Sequence, residues 1–165
     1  METKSIYIVR HAKAEDHSLS KRDFNRDLIN KGKERAHRIA TELAPLVTVN
    51  EKTLVISSPA NRAIQTAEIF CSILGYPAEK IQMEINIYEA HYLDILRVIN
   101  NLTGSYESIW VFGHNPGLSD LTNYLCDSQV DLLTANVAII GLENEVDFAS
   151  LAGSTGNLKT VLDGQ

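Results

Sequence analysis

Four side chains suited to phosphoryl chemistry stand at the ends of apolar runs. Arg10 and His11 follow the run at 6–9, Arg62 follows the run at 54–57 within LVISSPANRAIQTA, and His114 follows the run at 109–112 within SIWVFGHNPGL. A guanidinium is permanently cationic and can grip two oxygens at once, so Arg10 and Arg62 could clamp a tetrahedral anion from two sides. A neutral imidazole can attack phosphorus and then leave again, which splits one difficult hydrolysis into two easier steps. A phosphoryl group, whose three oxygens carry charge throughout transfer, suits such a set. His11 is the expected nucleophile. One strand-terminal Arg or His is commonly structural, and the signal here lies in the same device recurring at three strand ends.

The elements that must position these groups follow from apolar spacing. Residues 6–9 form a short buried strand, and in open α/β sheets ligands bind outside the carboxyl ends of the strands. Residues 12–32 are polar and irregular, longer than an idle connection usually is. A helix is expected from Asn30 as N-cap, with Ala36, Ile39, Ala40 and Leu43 at helical spacing and Pro45 beyond its last turn. A strand at 53–57 leads to Pro59 in a first helical turn, then to Ala60, Ala63, Ile64, Ala67, Phe70 and Leu74 on one face, closed by Gly75. Arg62 in that first turn lies near free backbone N–H groups, which favour an anion. Residues 81–87 alternate as a half-buried strand and end at Tyr88 and Glu89. Tyr92, Ile95, Leu96, Ile99 and Leu102 form a helical stripe before Gly104. The strand at 109–112 is followed by a helix presenting Leu118, Leu121 and Leu125. Strands at 135–142 and 146–151, joined by a polar turn at 143–145, read as a closing antiparallel hairpin. The alternation is that of a layered α/β domain.

At 165 residues the chain is read as one domain, 1–165. No apolar run is long enough to cross a bilayer and no signal-peptide order of regions opens the chain, so a cytoplasmic setting is expected. Cys71 and Cys126 have no metal-ligand spacing, and neither is followed six residues later by the Arg of a cysteine phosphatase. The net charge of −6 divides into +4 over residues 1–38 and −10 over the rest. An acidic total argues against general nucleic-acid binding, while the basic segment beside Arg10 could attract an anionic substrate. Lys31, Lys33, Arg35 and Arg38 are read as a solvated helix face. His11 and His114 could ligate a metal, but two neighbouring guanidiniums would repel it, so no metal and no cofactor are expected.

The RH pair after the first strand, SSPANRAIQTA and GHNPGL together resemble the histidine phosphatase superfamily, the phosphoglycerate-mutase-like proteins, and in size and in GHNP its SixA-type phosphohistidine phosphatases. The resemblance runs in correct order from residue 6 to about 142. No single motif is strong, whereas the ordered set is specific. It implies a three-layer α/β/α sandwich with a mainly parallel sheet and an antiparallel strand or hairpin at the C-terminal end. It implies His11 as the residue that becomes phosphohistidine, Arg10 and Arg62 as phosphate-binding arginines, His114 as the second pocket histidine, and Glu89 as the acid that protonates the leaving group. Arg26, in FNRDLINKG, resembles the arginine of the RPLTxxG-like segment. Arg26, Lys13 and Asn115 are further candidates for contacting substrate or supporting the site. Two departures stand out: Ala12 replaces the usual glycine after RH, and AKAEDH stands where the mutase-like branch keeps a polar Asn.

The function so implied is metal-independent hydrolysis through a phosphohistidine on His11, with phosphohistidine on a protein as the preferred substrate. The partner is a phosphorylated protein, for instance a histidine phosphotransfer domain, or a small phosphoester, with no nucleic acid and no membrane. A small-molecule phosphatase or a mutase is the rival enzyme. The chain lacks an obvious insertion to enclose a sugar acid and exclude water, which favours hydrolysis. A non-catalytic phosphoprotein-binding module is the third reading, but binding alone does not require a nucleophile.

Overall fold

The computed structural model describes residues 4–163. Six strands, β1 (Ser5–Arg10), β2 (Thr53–Ser57), β3 (Gln82–Met83), β4 (Ser108–Gly113), β5 (Val137–Leu142) and β6 (Gly156–Leu162), form one sheet in the order β3-β2-β4-β1-β5-β6. The four strands from β3 to β1 are parallel; β5 runs antiparallel to β1, and the edge strand β6 antiparallel to β5. Four helices cover it: α1 (Asn30–Leu43), α2 (Asn61–Leu74), α3 (Tyr92–Asn100) and α4 (Gly117–Cys126).

Side chains alternate between the two faces of a strand, and both faces here are apolar. Ile6 and Ile8 of β1, with Leu54, Ile56, Ile109, Val111 and Ile140, pack under Ile95 and Ile99 of α3 and Leu118, Leu121 and Leu125 of α4. Tyr7 and Val9, with Val55, Trp110, Phe112 and Val137, pack under Ala36, Ile39, Ala40 and Leu43 of α1 and Ala67 and Phe70 of α2. The result is the expected α/β/α sandwich, and each large apolar side chain so buried contributes about 1.5–3 kcal/mol. Among the described residues no helix is long and apolar enough to cross a membrane.

Several boundaries differ from the sequence reading. Ile29, not Asn30, is the N-cap of α1, and Asn30 is already helical. Pro59 precedes the helix, whose N-cap is Ala60. Of residues 81–87 only Gln82 and Met83 pair with β2, after which a 3₁₀ turn, Ile85–Ile87, drives Ile87 into the core. The helix α3 stops at Asn100, four residues short of Gly104. Residues 146–151 form no strand: Phe148 and Leu151 enter the core without pairing, and the strand that completes the hairpin is β6.

Candidate active site

Strand register brings the chemistry together. Arg10, last in β1, is level with Gly113, last in β4, so His11 and His114 leave adjacent parallel strands side by side. The backbone bond from His11 N to Gly113 O, 2.9 Å, carries the pairing one residue further. Next in the sheet, β2 ends at Ser57, and Ser58 N donates to Phe112 O at 2.9 Å. The two imidazole centroids lie 5.3 Å apart.

Both rings are buried, His11 at 8% exposure and His114 at 5%. Burial pushes the His11 pKa down to about 4. The bond to the Ala12 carbonyl opposes this, while Arg62, Arg10 and Arg26 reinforce it. His11 Nδ1 lies 2.7 Å from Ala12 O, a carbonyl that can only accept. The neutral ring therefore carries its proton on Nδ1 and has its lone pair on Nε2. Burial likewise pushes His114 down to about 3, with Arg62 and His11 adding to it and Asp23 opposing. His114 Nε2 is 2.8 Å from Ser58 Oγ, and its Nδ1 is buried without a hydrogen-bond partner among the described residues.

The arginines are held by the backbone. Arg10 Nη1 donates to Leu132 O at 3.0 Å, and burial lowers its pKa with Asp131 partly offsetting. Arg62, whose side chain is 4% exposed, donates from Nη1 to Asp23 O at 2.7 Å and from Nη2 to Asp23 Oδ2 at 3.0 Å. Arg10 Nε and Arg62 Nε are buried without hydrogen-bond partners among the described residues. Arg26 donates from Nε to Glu15 O and from Nη1 to Asp23 Oδ1, both at 2.7 Å, and its charge reaches His11.

Asp23 is the residue that sequence reasoning missed. It also accepts from Tyr88 Oη at 2.6 Å. Burial would raise its pKa, but the hydrogen bonds from Tyr88, Arg26 and Arg62 outweigh that and hold it well below the carboxylate range. Burial and Asp23 together push the Tyr88 phenol up to about 12. The one available signal was its place three residues before Arg26 in DFNR.

The motif residues around Arg62 act as clasps. Ala12 N donates to Thr66 Oγ1 at 3.0 Å, and Leu28 N donates to Gln65 Oε1 at 2.8 Å. Asp27 accepts from Gln65, Asn61 and Lys21. The polar segment between β1 and α1 is thereby pinned to α2. Gly32, in the first turn of α1, makes this possible, since a Cβ there would lie 2.1 Å from Lys13 O. Gly117 plays the same part on the other side, where a Cβ would lie 2.3 Å from Ala90 O, next to Glu89.

The remaining candidates fall at the rim or behind it. Glu89 has a φ of 47°, is 60% exposed, and its Oε1 is 3.9 Å from Arg62 Nη2. Tyr88 and Glu89 also line a surface groove of about 790 Å³ that continues past His91, Asp94 and Arg97. The Lys13 side chain is exposed. Asn115 donates to Leu132 O at 2.7 Å and accepts from Ser119 Oγ at 2.8 Å. It therefore shares the Leu132 carbonyl with Arg10. His17 lies at the surface, 3.2 Å from Arg26 Nη1.

Two imidazoles of depressed basicity near two guanidiniums, at the carboxyl ends of parallel strands, make a pocket suited to an anion such as a phosphoryl group. Residues 6–115 match the family model of the histidine phosphatase superfamily (branch 1), and the chain belongs to that superfamily. A candidate phosphohistidine phosphatase SixA from Nakamurella multipartitia superposes with a TM-score of 0.78 at 20% identity, covering 96% of this chain and 95% of that one. The protein histidine phosphatase SixA complexed with tungstate gives 0.75 at 20% identity, with 97% of each chain covered. An uncharacterized chloroplastic protein of Arabidopsis thaliana is 24% identical over 146 residues, 84% of this chain. The chain spans 66% of that curated relative's length.

Proposed function

We propose that residues 1–165 act in the cytoplasm as one histidine-phosphatase-like domain that hydrolyses phosphohistidine on a phosphorylated partner protein. The observation that carries this reading is the convergence of His11 and His114, 5.3 Å apart, with Arg10 at the end of β1 and Arg62 in the first turn of α2, both near enough for their charge to act on the two rings. His11 Nε2 attacks phosphorus, the bond from phosphorus to the leaving group breaks, and phosphohistidine forms. Water then attacks phosphorus, the N–P bond breaks, and inorganic phosphate and neutral His11 are released. Arg10, Arg62 and His114 hold the oxygens, and their preorganisation stabilises the charge that develops in transfer. The positive charge comes from guanidiniums, so no metal is required.

A phosphohistidine substrate fits what surrounds the site. Its imidazole is already a good leaving group, so an acid as exposed as Glu89 is adequate for it. For an ester with a poor leaving group the same carboxyl would have to deliver the proton. The likeness to SixA structures and the groove beside Tyr88 and Glu89 favour a protein-borne substrate over an enclosed metabolite.

The test compares a phosphohistidine-bearing phosphotransfer domain, phosphoserine and a three-carbon sugar-acid phosphate. The expected kcat/KM is highest for the phosphohistidine domain by at least about tenfold, falls with His11→Asn by on the order of 10⁴-fold, and yields inorganic phosphate. A small ester preferred over the domain overturns the substrate, and phosphoryl return to the sugar acid makes the enzyme a mutase. Absence of turnover with all three overturns the reading.

A further inference from the structure

We propose that Asp23 is a positioning residue for the phosphoryl site, setting the Arg62 and Arg26 guanidiniums and the Tyr88 phenol in the orientation that receives the anion. This rests on the phosphatase reading and adds to it a residue outside the expected set.

The geometry is that of a hub. Asp23 grips Arg62 twice, by its backbone oxygen on Nη1 and by Oδ2 on Nη2, so the guanidinium plane is fixed rather than tethered at one point. A guanidinium has five N–H donors, and this grip uses one on each terminal nitrogen while Nε stays buried without a partner. The same carboxylate takes Arg26 Nη1 on Oδ1 and Tyr88 Oη on Oδ2. The Tyr88 ring in turn stands edge-on to His114, centroids 5.4 Å apart and planes at 81°. One carboxylate thus links both guanidiniums of the loop side to the wall beside the second histidine. It is surrounded by donors, so its part is to accept and hold, not to transfer a proton.

Asp23 lies on the 3₁₀ turn Asp23–Asn25, and the surrounding segment is anchored independently. Ala14 bridges Leu28, Glu15 and Asp27 share Lys21, and Asn61 and Gln65 of α2 hold Asp27. Loss of the Asp23 carboxylate therefore removes one hold on each guanidinium, leaving Arg62 on the Asp23 backbone oxygen and Arg26 on the Glu15 backbone oxygen, without releasing the loop.

An Asn at this position keeps the shape but turns one acceptor into an amide donor that faces a donor. The experiment measures kcat and KM on an aryl phosphate, inhibition by orthovanadate, and Tm for the native chain, Asp23→Asn, Asp23→Glu, and Asp23→Asn combined with Tyr88→Phe. Expected are a loss of about 10–100-fold in kcat/KM and roughly tenfold weaker vanadate inhibition for Asp23→Asn. Asp23→Glu recovers part of both, and Tyr88→Phe adds less in the Asn background than in the native chain, because the two side chains act through one shared contact. Native kinetics and vanadate affinity in Asp23→Asn overturn the proposal. Tighter vanadate binding overturns it too, since the carboxylate would then be a competitor for Arg62. If Asp23→Asn does not fold, Asp23→Glu decides: native vanadate affinity with the longer carboxylate overturns a role in exact placement, and weakened affinity upholds it. A native chain that neither turns over the ester nor binds vanadate overturns the phosphatase reading and this inference with it.

Discussion

Whether His11 can act depends on its proton. Burial and three nearby guanidiniums hold its pKa down to about 4, against an ordinary imidazole near 6.5. A lowered pKa means that the neutral, nucleophilic form persists to lower pH, and that activity is lost only as pH falls through the folded value. The expected kcat/KM, corrected for ionisation of the substrate, is level from pH 8 to about 5.5 and declines toward pH 4. A break centred near pH 6.5 would mean that the ring is solvated and its guanidinium neighbours are distant. His114, down at about 3, titrates below this window and leaves the profile to His11.

Elements place these residues by register and by close approach. The strand ends were legible from the sequence because β1, β2 and β4 are buried on both faces, and their unbroken apolar runs stop where the site begins. The 81–87 segment misled because alternation of apolar and polar residues also describes a two-residue strand followed by a 3₁₀ turn with Ile87 inward. Residues 146–151 misled because Phe148 and Leu151 are apolar for the core rather than for a ladder, while the true edge strand β6 carries Asn157, Lys159 and Thr160. Gly32 shows how packing of an element sets the site, since no larger residue lets α1 approach the Lys13 backbone two residues after His11. Gly32→Ala is expected to cost about 1–3 kcal/mol and to lower Tm by roughly 2–10 °C, with a loss of kcat/KM larger than that of an exposed substitution on α1 such as Lys33→Ala. Native Tm and native kinetics in Gly32→Ala would remove the contact from the account.

Across the whole molecule, the ordered succession of three strand-end segments made the family readable, while contacts between distant segments stayed hidden. Asp23 reaches Arg62 across 39 residues and Tyr88 across 65, from a segment with no periodicity to interpret. Charge was similarly deceptive. Lys21, counted in the basic N-terminal segment, is held by Glu15 and Asp27, leaving Arg22 as its exposed neighbour. In the function proposed above, the sandwich brings one nucleophilic imidazole, His11, to a tetrahedral anion held by Arg10, Arg62 and His114. The measurement that meets this most directly is rapid mixing with an aryl phosphate, an alkaline quench that preserves phosphoramidates, and location of the phosphoryl group by mass spectrometry. One phosphoryl group per chain is expected, on Nε2 of His11 and absent in His11→Asn. A phosphoryl group found on another residue, or turnover with no covalent species in a quench fast enough to catch one, would contradict that proposal.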